Sequence, residues 1–216
     1  MAGFGFRPVR YLNGAMWNGA TVRCSVLSTY ATAVFPGDSV ILAGTSTTSP
    51  VDGAILNDVQ ACAATNRTYG VVTSVIPTGA FTAAAGTSTL DLAKIYRPLS
   101  TYGEVMVAIV EPGLVFETTI NSAVVVSGAT AVQGTMYQLL ATAGSTTTGL
   151  SGHTLSSTAS TTNEAWMVVG VRNDPANLSG LTSGTTAVIN TATSPTVIEV
   201  VCTQPQMFPT QVGAGV

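Results

Sequence analysis

Glu104-Val105-Met106-Val107-Ala108-Ile109-Val110-Glu111-Pro112-Gly113-Leu114-Val115-Phe116-Glu117-Thr118-Thr119-Ile120 is two runs of apolar and β-branched residues joined through Pro-Gly. Branched and aromatic side chains pack well on a pleated surface, and Pro-Gly supplies one fixed and one unrestricted φ, as a tight turn requires. The spacing predicts strands over Glu104 to Ile109 and Leu114 to Ile120. The same pattern recurs over Thr21 to Tyr30, Ser39 to Leu42, Tyr69 to Ile76, Leu90 to Tyr96, Met136 to Leu140, Ala165 to Val171 and Thr196 to Cys202. Glycine or proline interrupts the chain about every ten residues, the rhythm of an all-β, jelly-roll-like sandwich or a barrel of short strands. Helix is scarce. The best helical stretch is Asp52 to Ala64, where Asp52 can cap and Ile55, Val59 and Cys62 recur at helix-like spacing, with a β-turn as the competing reading.

The chain has 216 residues, long enough for a real core, and only 8% of them are charged against about 25% in an ordinary soluble protein. Hydroxyl-bearing residues must therefore cover much of the surface. Seven basic residues against ten acidic give a net charge of −3. The basic ones are scattered from Arg7 to Arg172, so no stripe exists to neutralise a phosphate backbone and direct nucleic-acid binding is not expected. A mean hydropathy of +0.43 without an apolar run near the roughly 20 residues of a spanning helix predicts no membrane and an exterior meant to be covered, by a homo-oligomer or a lattice partner. The first residues carry no secretory leader, which predicts synthesis and use in a cytoplasm. Cys24, Cys62 and Cys202 are too widely spaced for a disulfide framework or a C-x-x-C site and read as small buried hydrophobes.

Residues 1–20 differ from the rest. Phe4, Phe6, Tyr11, Met16 and Trp17 are interleaved with Gly3, Gly5, Gly14 and Gly19, and Arg7 and Arg10 flank Pro8. This reads as an extended arm that docks on a partner, ahead of a β domain over 21–203, in one unit or two subdomains, and an extended tail over 204–216. The alternative is an N-terminal strand folded onto its own core. The Ser/Thr-rich run Gly144 to Thr162 is a mobile loop or a hairpin tip. Arg7-Pro8-Val9-Arg10-Tyr11 and Tyr96-Arg97-Pro98 place arginine and tyrosine beside turns, the residue types that most often carry interface energy. The candidate contact residues are thus Phe4, Phe6, Arg7, Arg10, Tyr11, Trp17, Tyr96 and Arg97.

Catalytic constellations are missing. His153 is the single histidine and reads as part of an exposed loop, so a triad with Ser151 or Ser156 is not expected. Aspartate and glutamate occur singly, without calcium- or zinc-binding spacing. Glu111 and Glu117 bracket Pro112-Gly113 as a glycosidase pair could, but no sugar-stacking aromatics surround them, and charges guarding a ladder edge explain them better. No enzyme, cofactor or metal is expected.

Gly5-Phe6-Arg7-Pro8-Val9-Arg10-Tyr11-Leu12-Asn13-Gly14, with Trp17-Asn18-Gly19, resembles the N-terminus of capsid decoration (cement) proteins of tailed bacteriophages, podophages in particular. Pro36-Gly37-Asp38-Ser39-Val40, Tyr69-Gly70-Val71-Val72, Tyr96-Arg97-Pro98, Gly144 to Gly152 and Val171-Arg172-Asn173-Asp174-Pro175 are similar to later parts of that family. The resemblance implies a non-enzymatic virion protein, made in the host bacterium and seated on the outer face of an icosahedral head. It implies the phage major capsid protein as partner and a trimer, with a dimer as the alternative. A receptor- or glycan-binding head-fibre or tail module has a similar surface and is the competing reading, followed by a hydrolase using His153.

Overall fold

The computed structural model describes residues 4–77, 95–120, 124–125, 132–159, 166–172, 188–189 and 196–207. Among them the regular structure is strand, and the all-β expectation holds. Five strands, β2 (Val22–Val26), β3 (Ser39–Thr48), β4 (Ile55–Ala61), β5 (Gly70–Ile76) and β6 (Gly103–Ile109), close into a barrel in the order β2-β4-β3-β5-β6. The closure runs between β2 and β6, antiparallel from Val22↔Val107 to Val26↔Gly103, while β2 meets β4 in parallel at Ser25↔Asp58. Cys24, Val26, Val34, Val40, Val59, Tyr69, Val72, Val105 and Val107 fill its interior. Closure removes the exposed edges that would otherwise template aggregation.

A second set of strands contains β1 (Arg7–Tyr11), β7 (Leu114–Ile120), β9 (Met136–Leu140), β10 (Thr154–Ala159), β11 (Trp166–Val171) and β13 (Thr196–Cys202). β7 pairs with β13, β13 with β11, β11 with β9, β9 with β10, and β10 returns to β7 through Leu155↔Ile120, so these pairings also form a ring. Because β13 takes one edge of β7 along Val115 to Ile120, β1 and β10 share the other: β1 covers Leu114 to Glu117 and β10 meets Ile120. The N-terminal strand thus fills the part of the seam that β10 leaves open. β8 (Val124–Val125) and β12 (Val188–Ile189) form a separate antiparallel pair.

The Pro112-Gly113 turn does not make a hairpin. Leu114 N–H donates to Glu111 O at 3.1 Å, and Gly113 has φ +82°, the second central position of a type II turn that glycine favours. The flanking strands then diverge, β6 into the first barrel and β7 into the second ring. All seven residues of β7 are buried. Its Leu114, Phe116 and Ile120 join Phe6, Leu155, Trp166, Ile198 and Val200 in a core that also takes Cys62 and Val71 from the first barrel.

The stretch read as an arm is extended, as expected, but from Phe4 onward it docks on the chain itself. Phe6 is 1% exposed and stacks on Trp166 at 4.4 Å between ring centroids, with Phe116 edge-on to the same indole at 5.5 Å. The close crossing beside it requires glycine: a Cβ on Gly5 (φ +73°) would fall 2.4 Å from Gly37 O.

The helix considered over Asp52 to Ala64 is absent. Gly53 (φ +76°) and the Asp52 Oδ1 acceptor for Ala54 N–H make a turn, and β4 follows, paired with β3 from Ile55↔Thr48 to Ala61↔Val40. Cross-strand partners override a weak helical periodicity here. The run from Gly144 is a hairpin tip: Gly149 N–H donates to Ser145 O at 2.7 Å, and β9 and β10 pair on either side. The start of the tail is also docked, Thr68 donating to Gln204 O and receiving Gln206 N–H, while Gln206 Oε1 accepts Leu42 N–H. The strand expected over Leu90 to Tyr96 lies outside the described residues except for Ile95 and Tyr96, and the tail beyond residue 207 lies outside them entirely.

Removing the Phe6 ring should leave a cavity against Trp166, so Phe6→Ala is expected to lower stability by about 3–5 kcal/mol. Denaturant unfolding checks this; a loss under about 1 kcal/mol would mean that β1 is dispensable.

Candidate interaction surface and the buried polar sites

The candidate arginines are tied into their own fold. Register sets Arg7 opposite Glu117 on β7, and Glu117 opposite Glu199 on β13. Two carboxylates facing each other across a ladder repel, and here each has its own cation. Arg7 donates from Nε to Glu117 Oε2 at 2.7 Å and also through Nη2, Arg172 adds Nη1 at 3.3 Å, and Arg10 Nη2 reaches Glu199 Oε2 at 2.5 Å. Phe4 lies under the Arg7 guanidinium at 4.7 Å.

Arg97 is 1% exposed and has no carboxylate partner among the described residues. Its guanidinium donates to three backbone carbonyls of one loop: Leu27, Tyr30 at 2.9 Å and Thr32 at 2.7 Å. Burial pushes it down to about 10, so it stays charged at neutral pH. Arg97 and Val34 exchange both backbone hydrogen bonds, and Tyr96 stacks on Phe35 at 4.9 Å. Gly103 leaves the room required, since a Cβ there would lie 2.7 Å from Arg97 Cγ. Arg97 is therefore the pin of the 27–34 loop, which corrects its reading as a partner contact.

His153 is also buried, at 4% exposure, where an exposed loop was expected. Its Nδ1 accepts Ser39 N–H at 3.1 Å, and its Nε2 faces Asp38 Oδ1 at 3.7 Å. A backbone N–H can only donate, so the neutral ring carries its proton on Nε2. Neither nitrogen is free to take a proton from a serine; Ser151 Oγ accepts His153 N–H at 3.0 Å, and its hydroxyl is turned to Asp38. Asp38 Oδ2 accepts Phe35 N–H at 2.9 Å, whereas Oδ1 has no partner of normal geometry among the described residues. Burial pushes the Asp38 carboxyl up and the His153 imidazole down.

The remaining described carboxylates are engaged as well. Glu104, fully buried, accepts from Arg23 Nε (2.7 Å), Ser49 Oγ (2.6 Å) and Tyr102 OH (2.8 Å). Asp52 pairs with Arg23, whose guanidinium holds it down at about 2. Asp58 accepts from Ser25, Thr45 and Thr47 hydroxyls. Glu111 faces the Tyr11 hydroxyl at 3.4 Å, far from the role of a partner to Glu117. Among the described residues no three potential ligands gather to hold a metal ion. The three cysteines are free, and burial pushes their thiols up to about 11 for Cys24 and Cys62 and about 12 for Cys202, which keeps them protonated and inert.

What is left for contact is largely apolar, with Glu111 as its carboxylate. After β1 the chain turns at Asn13-Gly14, with Tyr11 N–H donating to Ala15 O and Trp17 N–H to Val9 O, and the turn lifts Leu12 (53% exposed) and Met16 (77%) into solvent. Tyr11, Trp17, Val22, Ile109 and Leu114 line a shallow groove beneath it, and Glu111 adds a carboxylate to its wall. Val22 opens β2 and Ile55 (78% exposed) opens β4, neighbouring strands that meet in parallel at Ser25↔Asp58, and Arg23, next to Val22, is shared between Asp52 and Glu104. Of the eight candidate contact residues, only Tyr11 and Trp17 lie on this surface. Leu12, Val22 and Ile55 were missed, and Met16 stands in the N-terminal segment but outside the eight; Asn13-Gly14, a turn dipeptide between apolar residues, is the sequence signal that marks Leu12 and Met16.

Comparison with protein-family models, curated proteins and solved structures returns no match to this chain.

Arg97→Ala would leave three loop carbonyls without their donor and is expected to cost about 3 kcal/mol or more in thermal or denaturant unfolding. Arg97→Lys should recover only part of this, because a point-like ammonium cannot match the fork. Full recovery with lysine would show that charge, not shape, is what the loop requires.

Proposed function

We propose that this chain is a non-enzymatic virion protein that binds the outer surface of a bacteriophage head and cements the lattice of the major capsid protein. The observation that carries the reading is the largely apolar surface from Leu12 and Met16 to Val22 and Ile55, with the Glu111 carboxylate on its groove, on a framework where Glu117 and Glu104 are held by arginines. The sequence resemblance supplies the identity of the lattice. The engaged state of His153 supports a role without catalysis.

Burying a side chain such as Met16 or Ile55 at a contact is worth about 1.5–3 kcal/mol. A partner that binds the assembled shell and not its separated subunits stabilises the shell by mass action, and linkage of many copies multiplies the effect. Each copy bridges more than one capsid subunit in this mechanism, and the protein acts as a homo-oligomer, with a trimer as the first choice and a dimer as the second.

Met16→Asp and Ile55→Asp lie on the surface, so each is expected to leave folding within about 0.5 kcal/mol of the parent. Each should weaken attachment to heads lacking the protein by tenfold or more, and bare heads should burst at lower temperature than decorated ones. Undiminished attachment of both variants would reject this surface. Failure of the parent to bind heads, with saturable binding to host glycans instead, would replace the capsid reading by that of a receptor-binding module.

A further inference from the structure

We propose that His153 is a proton-operated clasp between the two rings of strands: neutral, it holds the β9–β10 tip to the start of β3, and on taking up a proton it lets go. The proposal rests on the direction of one hydrogen bond. Ser39 N–H points into the Nδ1 lone pair at 3.1 Å, the nitrogen that protonation would fill. An imidazolium would set two N–H groups head to head there. The ring would have to turn away or the first residue of β3 would have to move.

The contact sits at a junction. Ser39 opens β3, paired with β5 through Ser39↔Val71, and the preceding Gly37 accepts Phe6 N–H and donates to Val72 O. Ser151 N–H, two residues before the histidine, donates to Pro36 O at 3.2 Å. The N-terminal strand, the tip from the second ring and the first barrel therefore meet within a few residues of the imidazole. A cleft of about 370 Å³, walled by Tyr30, Phe35, Cys62, Ala141 and Gly144, opens onto this place and gives water a route to it.

The groups facing the ring decide the sign. Asp38, from the turn before β3, is the one carboxylate beside it among the described residues and favours the cation. Tyr30 and Cys62 are neutral groups on the cleft, with Cys202 behind Cys62, and Arg97 stands behind the Tyr30–Thr32 wall, where its charge opposes a second cation. Burial outweighs Asp38 and holds His153 below its usual 6.5. Its contribution is thus complete above pH 6.5 and is lost as pH falls from there towards the folded-state value. Asp38, raised by burial, acts in the opposite sense, its own protonation relieving a buried charge as pH falls through its folded-state value towards 3.8.

With a single histidine in the chain, its imidazole resonances need no assignment by mutation. Long-range ¹H–¹⁵N spectra of the full chain should show an Nε2–H ring at pH 8 and a titration midpoint below 6.5. Exchange of the Ser39 amide should accelerate tenfold or more through the same midpoint. His153→Asn offers an acceptor near the Nδ1 position and cannot be protonated, so its melting temperature should change less between pH 7 and pH 5 than that of the parent. An Nδ1–H ring, a midpoint at or above 6.5, or a Ser39 amide indifferent to the titration would each overturn the clasp, and these measurements on the parent chain decide the matter even if the variant does not fold.

Discussion

β7 is the strand on which both ends of the chain are hung. Its one edge is bonded to β13, near the C-terminus, and its other to β1, at the N-terminus, and it is buried along its whole length. A strand buried on both faces must be apolar or have its polar groups satisfied, and β7 contains Glu117. That carboxylate is tolerable because Arg7 arrives from β1 and Arg172 from the residue following β11. The pairing therefore works in both directions: β1 is held by the ladder and by Phe6 on Trp166, and β7 can keep a buried charge because β1 is there.

The same economy governs the rest of the chain. With 8% charged residues, few charges are left to cover the exterior, and the described ones are used instead to fix loops and strand ends. Arg97 organises carbonyls, Arg23 joins Asp52 and Glu104 at the rim of the first barrel, and Asp58 is held by hydroxyls alone. Hydroxyls and exposed aliphatic side chains are left to face outward, which is why the candidate contact surface is largely apolar, with Glu111 as its carboxylate.

Much of the fold was legible because strand signals are local. Leu114 to Ile120, Met136 to Leu140 and Thr196 to Cys202 begin and end where β-branched runs meet glycine, proline or hydroxyl-rich breaks. What the residues next to Pro112-Gly113 do not encode is destination: whether β6 and β7 pair or part depends on partners far away in sequence. The same non-locality misplaced the candidate contacts. Arg7, Arg10 and Arg97 look like interface anchors until Glu117, Glu199 and the carbonyls of residues 27–32 are brought to them by the fold, and His153 looks like a loop residue until Ser39 is placed against it. Tyr11 and Trp17 reached the surface because they flank a turn whose chemistry is local.

The pairing of Arg7 with Glu117 spans 110 positions, and that of Arg10 with Glu199 spans 189. On a ribosome this separation becomes an order of events. The strands of the first barrel lie between Val22 and Ile109, and they can close before β7 has emerged. The N-terminal segment, made first, has its place on β7 only afterwards, and the seam is completed last, when β13 is released. Contacts of such range are slow to form, and until they do Phe6 and the edge of β7 are open to another chain. Hydrogen-exchange protection in β2 to β6 ahead of β1 and β7 would be the trace of that order; at high local concentration the chain must pass through this interval quickly or exchange its first strand with a neighbour.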